Sequence, residues 1–206
     1  MKKKIIIFKN DSIGDLVHSL PTINKIVLQN PDKEIIIFLS KISGKFYFLF
    51  KKDNTQLKIL NFNLSLIEKI KLFFYLFNNK IEKIYILSPK KFYFYLPLFF
   101  LRIKFFGLCI NGRANNKRPS IFLRNFLYKF VVNDRKTKKK RKSTRLLQLD
   151  LVTENNKSNA DFDLNLNFPQ SERLKKYFPN NYVFVHYKKI FFEELGWGTN
   201  GLDAIL

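Results

Sequence analysis

Ile5-Ile6-Ile7-Phe8-Lys9-Asn10-Asp11-Ser12-Ile13-Gly14-Asp15-Leu16-Val17-His18-Ser19-Leu20-Pro21 sets an uninterrupted apolar run ahead of a short polar stretch with a single glycine. Apolarity without alternation is what a parallel strand covered on both faces requires, because neither face meets water. The polar stretch then falls at the carboxyl end of that strand, the side of an open parallel sheet where ligands bind. Gly14 lets backbone approach a ligand closely and admits a conformation closed to other residues. Asp15 would point from the start of the next helix into the cleft. A carboxylate there can act as general base for a hydroxyl, provided apolar surroundings tune it to working pH. The same position suits a helix cap or a partner for the helix dipole, and position alone leaves both roles open. His18, beside apolar residues, reads as a hydrogen-bonded packing residue or a site residue. Ser19 and Pro21 read as the N-cap and first-turn proline of a helix whose apolar stripe is Leu20, Ile23, Ile26 and Val27.

Working outward, two more Ile-rich runs, Glu34 to Leu39 and Lys83 to Leu87, repeat the buried-strand signal. Weaker strands are expected at Leu57 to Leu60 and at Ile103 to Ile110, the latter closed by the turn signal Asn111-Gly112. Helical periodicity covers Leu64 to Phe77, and an amphipathic helix is expected from Ser120 to Val132. Alternating strands and helices imply an α/β fold built on a doubly wound, Rossmann-like parallel sheet. Arg135 to Arg145 holds eight basic residues and no acidic one, the pattern of a solvated loop. A short apolar helix follows at Leu146, Leu147, Leu149, Leu151 and Val152. After Pro169 and Pro179, Tyr182 to Val185 reads as a fresh buried strand. The expected organisation is therefore a first domain over residues 1–167, a linker over 168–181 and the beginning of a second domain over 182–206.

With 206 residues and 46% hydrophobic content, the chain can bury one full core with a little left over. Thirty-eight Lys and Arg against 16 Asp and Glu give a formal charge of +22, which favours phosphate-rich partners such as anionic lipid, nucleotides or nucleic acid without choosing among them. The 24 Phe, with abundant Lys, Asn and Ile, also fit a biased base composition, so part of that charge is discounted. Cys109 is the single cysteine and excludes an intramolecular disulfide, and with only His18 and His186 a zinc cluster is not expected. The basic start and short apolar run of residues 1–8 read as a strand rather than an export signal. The longest nearly uncharged stretch, Phe92 to Leu101, falls well short of the roughly 20 residues a bilayer span needs.

Taken together, a strand, the basic Lys9, a short variable stretch, Ile13-Gly14-Asp15 and then Leu20-Pro21 resemble the opening of the lipopolysaccharide heptosyltransferases, glycosyltransferase family 9. The resemblance implies a GT-B type architecture of two Rossmann-like domains. It implies transfer of a sugar from a nucleotide-sugar to a lipopolysaccharide-core or related glycolipid acceptor, with inversion and without metal or other cofactor. It assigns the catalytic base to Asp15 and an anionic group of the acceptor to Lys9, with Asn10, Ser12, Gly14 and His18 around the acceptor. Looser similarity at Tyr182 to His186 puts donor-binding roles on His186 and Lys188, although Tyr187-Lys188-Lys189 stands where relatives carry small residues, and Trp197 follows. The family's later glycine-rich and Asp-x-Gly-like segments are not reached by Leu206, so the implied enzyme is incomplete, as a truncated gene product, an incomplete sequence or a degenerate paralogue, and is expected to be inactive alone. The implied location is cytoplasmic, peripheral on the inner face of the cytoplasmic membrane. Two alternatives compete: a non-catalytic remnant that binds glycolipid or a partner, and a basic nucleic-acid-binding protein. The second is disfavoured because the 135–145 run lacks interleaved aromatic residues for base stacking, and no nucleic-acid partner is expected.

Overall fold

A computed structural model of the chain describes residues 3–111, 121–134 and 143–153. The expectations for the basic run over 135–142, the linker, the strand at Tyr182, the donor residues His186 and Lys188, and Trp197 lie outside the described residues. The element order is β1 (Lys4–Lys9), α1 (Ile13–Leu28), β2 (Glu34–Leu39), β3 (Thr55–Ile59), α2 (Leu66–Phe77), β4 (Ile81–Ile86), α3 (Leu96–Phe99), β5 (Lys104–Asn111), α4 (Ile121–Arg124), β6 (Lys129–Asp134) and α5 (Thr144–Asp150). Short 3-10 segments at Ser43–Leu49 and Lys91–Tyr95 precede β3 and α3.

The six strands form one sheet in the order β3-β2-β1-β4-β5-β6, every neighbouring pair parallel. Ile6 sits beside Ile36 on one side and Ile84 on the other. Because side chains alternate across a strand, Ile5, Ile7, Ile35 and Ile37 face one core with Leu16, Leu20 and Ile23 of α1 and with Leu149, Leu151 and Val152 at and after the end of α5. Ile6, Phe8, Ile36, Ile84 and Ile86 face a second core with Leu72 and Leu76 of α2 and with Phe94, Leu96 and Leu123. This two-sided burial is the physical reason the strands read as unbroken apolar runs. Each fully buried Ile or Phe contributes about 1.5–3 kcal/mol relative to exposure, so the three central strands hold the sheet together.

Two local expectations are corrected. The helix expected over Ser120 to Val132 is not formed: α4 has four residues, and Lys129–Asp134 is the edge strand β6, paired with β5 from Phe106 to Asn111. Val131 packs on one core and Val132 on the other, the two-residue period of a strand. Gly107 accommodates this edge. A Cβ there would lie 3.0 Å from Leu127 and 3.1 Å from Phe94, so the missing side chain lets those groups close over the sheet. The second correction concerns the start of α1. Its N-cap is Ser12 and its first residue Ile13, so Pro21 lies inside the helix rather than in its first turn, and Ser19 is not a cap. Ser19 Oγ instead donates to the Asp15 carbonyl at 2.9 Å. The overlooked signal is Ser12-x-x-Asp15, a capping spacing one turn before the apolar stripe becomes regular. By contrast α2 begins at a full capping box, Ser65 with Glu68.

Candidate functional site

In the order β3-β2-β1-β4-β5-β6 the chain leaves β1 toward one side of the sheet and later returns to the other, so the carboxyl ends of β1 and β4 flank the switch point where ligands settle in such sheets. The two ends are tied together, since the Leu87 and Ser88 N–H groups both donate to the Phe8 carbonyl, at 3.0 and 2.9 Å. A cleft of about 310 Å³ opens there. Lys9, Asp11 and Asp15 line it from the β1–α1 connection, Leu87 to Lys91 from the exit of β4, Leu108 and Ile110 from β5, and Thr144 and Gln148 from α5.

The β1–α1 connection is held by its own polar groups. Lys9 is only 2% exposed; its ammonium donates to Asp11 Oδ2 at 2.8 Å and to the Leu87 carbonyl at 3.5 Å. Burial pushes the Asp11 carboxyl above its ordinary range, and the opposing pull of Lys9 does not fully offset it. The Asp11 carbonyl accepts from Ser40 Oγ at 3.1 Å and Ser43 Oγ at 2.8 Å. Asn10 is wholly buried and does not line the cleft: Nδ2 donates to the Asn61 carbonyl at 2.7 Å, and Oδ1 accepts from the Tyr93 hydroxyl at 2.9 Å. Burial drives that phenol's pKa upward. Asn10 thus serves as a tether in this structure, and the loop it fixes presents its neighbours to the cleft.

Asp15 is the third residue of α1 and is exposed at the cleft, not enclosed by apolar groups. Its Oδ2 accepts from Ser12 Oγ at 2.8 Å, while Ser12 Oγ accepts from the Asp15 N–H at 3.3 Å. Capping therefore belongs to the Ser12 side chain, which leaves the Asp15 carboxylate available for another role. Gly14 is helical, so the unusual conformation expected of it is not used; a Cβ built on it would meet nothing within 4 Å, which leaves its backbone open to approach. His18 is exposed and lies outside the cleft lining. Of the residues singled out in the sequence, the structure brings Lys9 and Asp15 to the cleft, keeps Ser12 and Gly14 adjacent in the chain, and sets Asn10 and His18 apart from it.

Asp11, Gln148 and Lys90 also line the cleft, and sequence reasoning did not single them out. Lys90 places its ammonium 4.0 Å from the centre of the Phe62 ring. A signal for Gln148 was present: it interrupts the otherwise apolar Leu146-Leu147-Gln148-Leu149. A larger groove, about 650 Å³, lies at the other end of the sheet among Lys83, Lys104 and Lys129. Those residues sit at the amino ends of parallel strands or close to them, away from the switch point, and we place the site at the smaller cleft. Among the described residues no group of His, Cys, Asp and Glu comes together in a way that could hold a metal ion.

No protein-family profile matches the sequence, and no curated protein matches it significantly. Solved structures do. A glycosyltransferase of family 9 from Veillonella parvula superimposes with a TM-score of 0.52 over 73% of this chain and 40% of its own, at 15% identity. The E. coli heptosyltransferase WaaC, solved with ADP, gives 0.52 over 79% of this chain and 51% of its own, at 11% identity. The chain shares the fold of these glycosyltransferases. It spans about half their length or less. The α/β, Rossmann-like parallel sheet expected from the strand pattern is thus the one observed, and it matches these GT-B glycosyltransferases over about half their length or less.

Proposed function

We propose that this chain provides the acceptor-side half of a sugar transferase that moves a sugar from a nucleotide-sugar to a glycolipid of the lipopolysaccharide-core type. The observation that carries the reading is the Asp15 carboxylate, exposed at the cleft between the carboxyl ends of β1 and β4 and released from capping by Ser12. A fold shared with a family 9 glycosyltransferase and with a heptosyltransferase solved with ADP supports it.

In this mechanism Asp15 takes the proton of the acceptor hydroxyl as its oxygen attacks the anomeric carbon of the donor, and the bond to the nucleoside diphosphate breaks with inversion. Cationic groups or a helix N-terminus beside the donor stabilise the leaving diphosphate; His186 and Lys188 are the residues proposed for the donor side. Ser12 Oγ–H orients the carboxylate. The fixed loop of Lys9, Asn10 and Asp11 keeps the base in register with the acceptor, because small displacements of a catalytic group are costly. No metal or other cofactor is required in this scheme. The acceptor is a membrane glycolipid, so the protein works peripherally at the anionic cytoplasmic face of the membrane, consistent with its charge of +22.

The test is transfer of radiolabelled sugar from a nucleotide-sugar into extractable glycolipid by the chain completed with a donor-side domain, comparing wild type with Asp15→Asn. The substitution keeps size and removes the base, so transfer should fall about 100- to 10,000-fold while the melting temperature stays put. Equal transfer by the two completed proteins, or acceptor binding with no transfer by the completed wild type, would refute the reading.

A further inference from the structure

Polar atoms of Gln148 and Asp11 are buried at the cleft without a hydrogen-bond partner among the described residues. Gln148 is 0% exposed, and neither its Oε1 nor its Nε2 makes a hydrogen bond. Asp11 is 9% exposed; Oδ2 is taken by Lys9, but Oδ1 is buried without a partner. Both residues line the same cleft as Asp15. Buried polar groups in folded proteins are nearly always satisfied, and an unsatisfied one costs its full desolvation. Gln148 stands out further because it is fully buried beside Leu149 of α5 and near the C-cap Leu151, both of which belong to the core. A leucine or methionine there would remove the penalty.

We infer that Gln148, together with Asp11 Oδ1, is a hydroxyl-reading subsite that recognises a saccharide ring; this rests on the cleft being the sugar-acceptor site proposed above. The chemistry on the page selects the ligand class. A carboxamide both donates and accepts, whichever way its ends are assigned, and a carboxylate oxygen accepts; adjacent hydroxyls of a sugar both donate and accept. The buried Lys9 ammonium is already engaged by Asp11, so this pair offers an anion no free cation, although Lys90 and Lys91 also line the cleft. Leu87, Leu108 and Ile110 supply apolar wall for the C–H face of a ring. A volume of about 310 Å³ is at the small end of ligand sites and suits a sugar ring rather than a long oligosaccharide.

The experiment is a paired measurement on the full chain, wild type and Gln148→Met, which keeps the length and removes both polar atoms. Binding of a neutral hexose and, separately, of inorganic phosphate is followed by ligand-observed NMR titration, and thermal melting is recorded for both proteins. The expected result is opposite movement: Gln148→Met melts higher, because the orphaned amide is gone, and binds the hexose at least about tenfold more weakly. Phosphate should show no loss specific to the substitution. A lower melting temperature would show that Gln148 has a structural polar role and would overturn the subsite. Hexose binding unchanged in Gln148→Met would also overturn it, while leaving the transferase reading standing. A wild-type chain that binds phosphate in this cleft and no hexose would overturn both.

Discussion

Ser12 and Asp15 exchange two hydrogen bonds: the Ser12 hydroxyl accepts from the Asp15 amide at 3.3 Å and donates to the Asp15 carboxylate at 2.8 Å. One side chain thus closes the amino end of α1 and aims the proposed base. Ser12→Ala removes both interactions. We expect a stability loss of about 1 kcal/mol, the usual value of an N-cap, and a drop in sugar transfer much smaller than that of Asp15→Asn. Ser12→Asp restores a capping acceptor but sets a second carboxylate beside the base, so it should recover the melting temperature and not the transfer rate. Parallel recovery of both would show that Ser12 acts through stability alone.

The buried pair of Lys9 and Asp11 yields a prediction about pH. Burial raises the Asp11 pKa in the fold above its ordinary value of 3.8, so the fold holds its proton more tightly than the unfolded chain does. The stability this proton contributes is fully present below the ordinary value and is lost as pH rises through the raised one. Asp11→Asn keeps an acceptor for the Lys9 ammonium and abolishes that titration. Its cost at neutral pH should be about 1 kcal/mol or less, and its disadvantage should be greater in acid. Asp11→Leu strands the ammonium and should cost about 3–5 kcal/mol. Denaturant unfolding between pH 3 and 8 separates these outcomes; equal damage by Asn and Leu would show that the charge of Asp11, not its acceptor atom, is what Lys9 needs.

The parts legible in the sequence are those governed by two-sided burial. Ile5 to Phe8 and Glu34 to Leu39 announce themselves because every residue is apolar, and the observed β1 and β2 agree to within a residue. β6 was hidden because an edge strand of six residues, with Phe130 41% exposed, imitates the face of an amphipathic helix. The cleft was legible in Lys9 and Asp15, which flank the β1–α1 connection. Asp11 and Gln148 come to line one cleft only through the fold, 137 residues apart in the chain, and no local pattern encodes that placement.

Cys109 offers a probe of the sheet's integrity. It is fully buried in β5, and burial pushes its thiol pKa up to about 11, so little thiolate exists at neutral pH even where reagent can reach it. In the native protein at pH 8, maleimide labelling should be at least about 100-fold slower than in denaturant, following the population of opened sheet. Fast labelling without loss of secondary structure would mean that β5 opens locally.

The last prediction concerns α2, which is apolar on more than its buried side. Leu72 and Leu76 enter the core, yet Leu66, Ile67, Ile70, Phe74 and Phe77 are 46% to 72% exposed. At 3.6 residues per turn these five fall within about 100° of the helix circumference, a continuous stripe. Lys69 and Lys71 flank it in the sequence of the same helix, and the whole chain carries +22. An apolar stripe bordered by lysines in a strongly cationic protein matches an anionic bilayer surface, where the side chains enter the headgroup boundary and the lysines meet lipid phosphates. Among the described residues no helix is long and apolar enough to cross a membrane, so the contact we propose is interfacial. Immersing such partly exposed side chains is worth roughly 1 kcal/mol each and each nearby lysine a similar amount, so Ile70→Asp with Phe74→Asp should remove most binding without touching the core. Flotation with phosphatidylglycerol vesicles should show wild type bound and the double variant free, with wild-type binding weakened but not abolished by high salt. Equal binding to neutral vesicles would discount the lysines. Concentration-dependent self-association abolished by the same two substitutions, with no vesicle binding, would assign the stripe to a second copy of the chain and overturn the lipid reading.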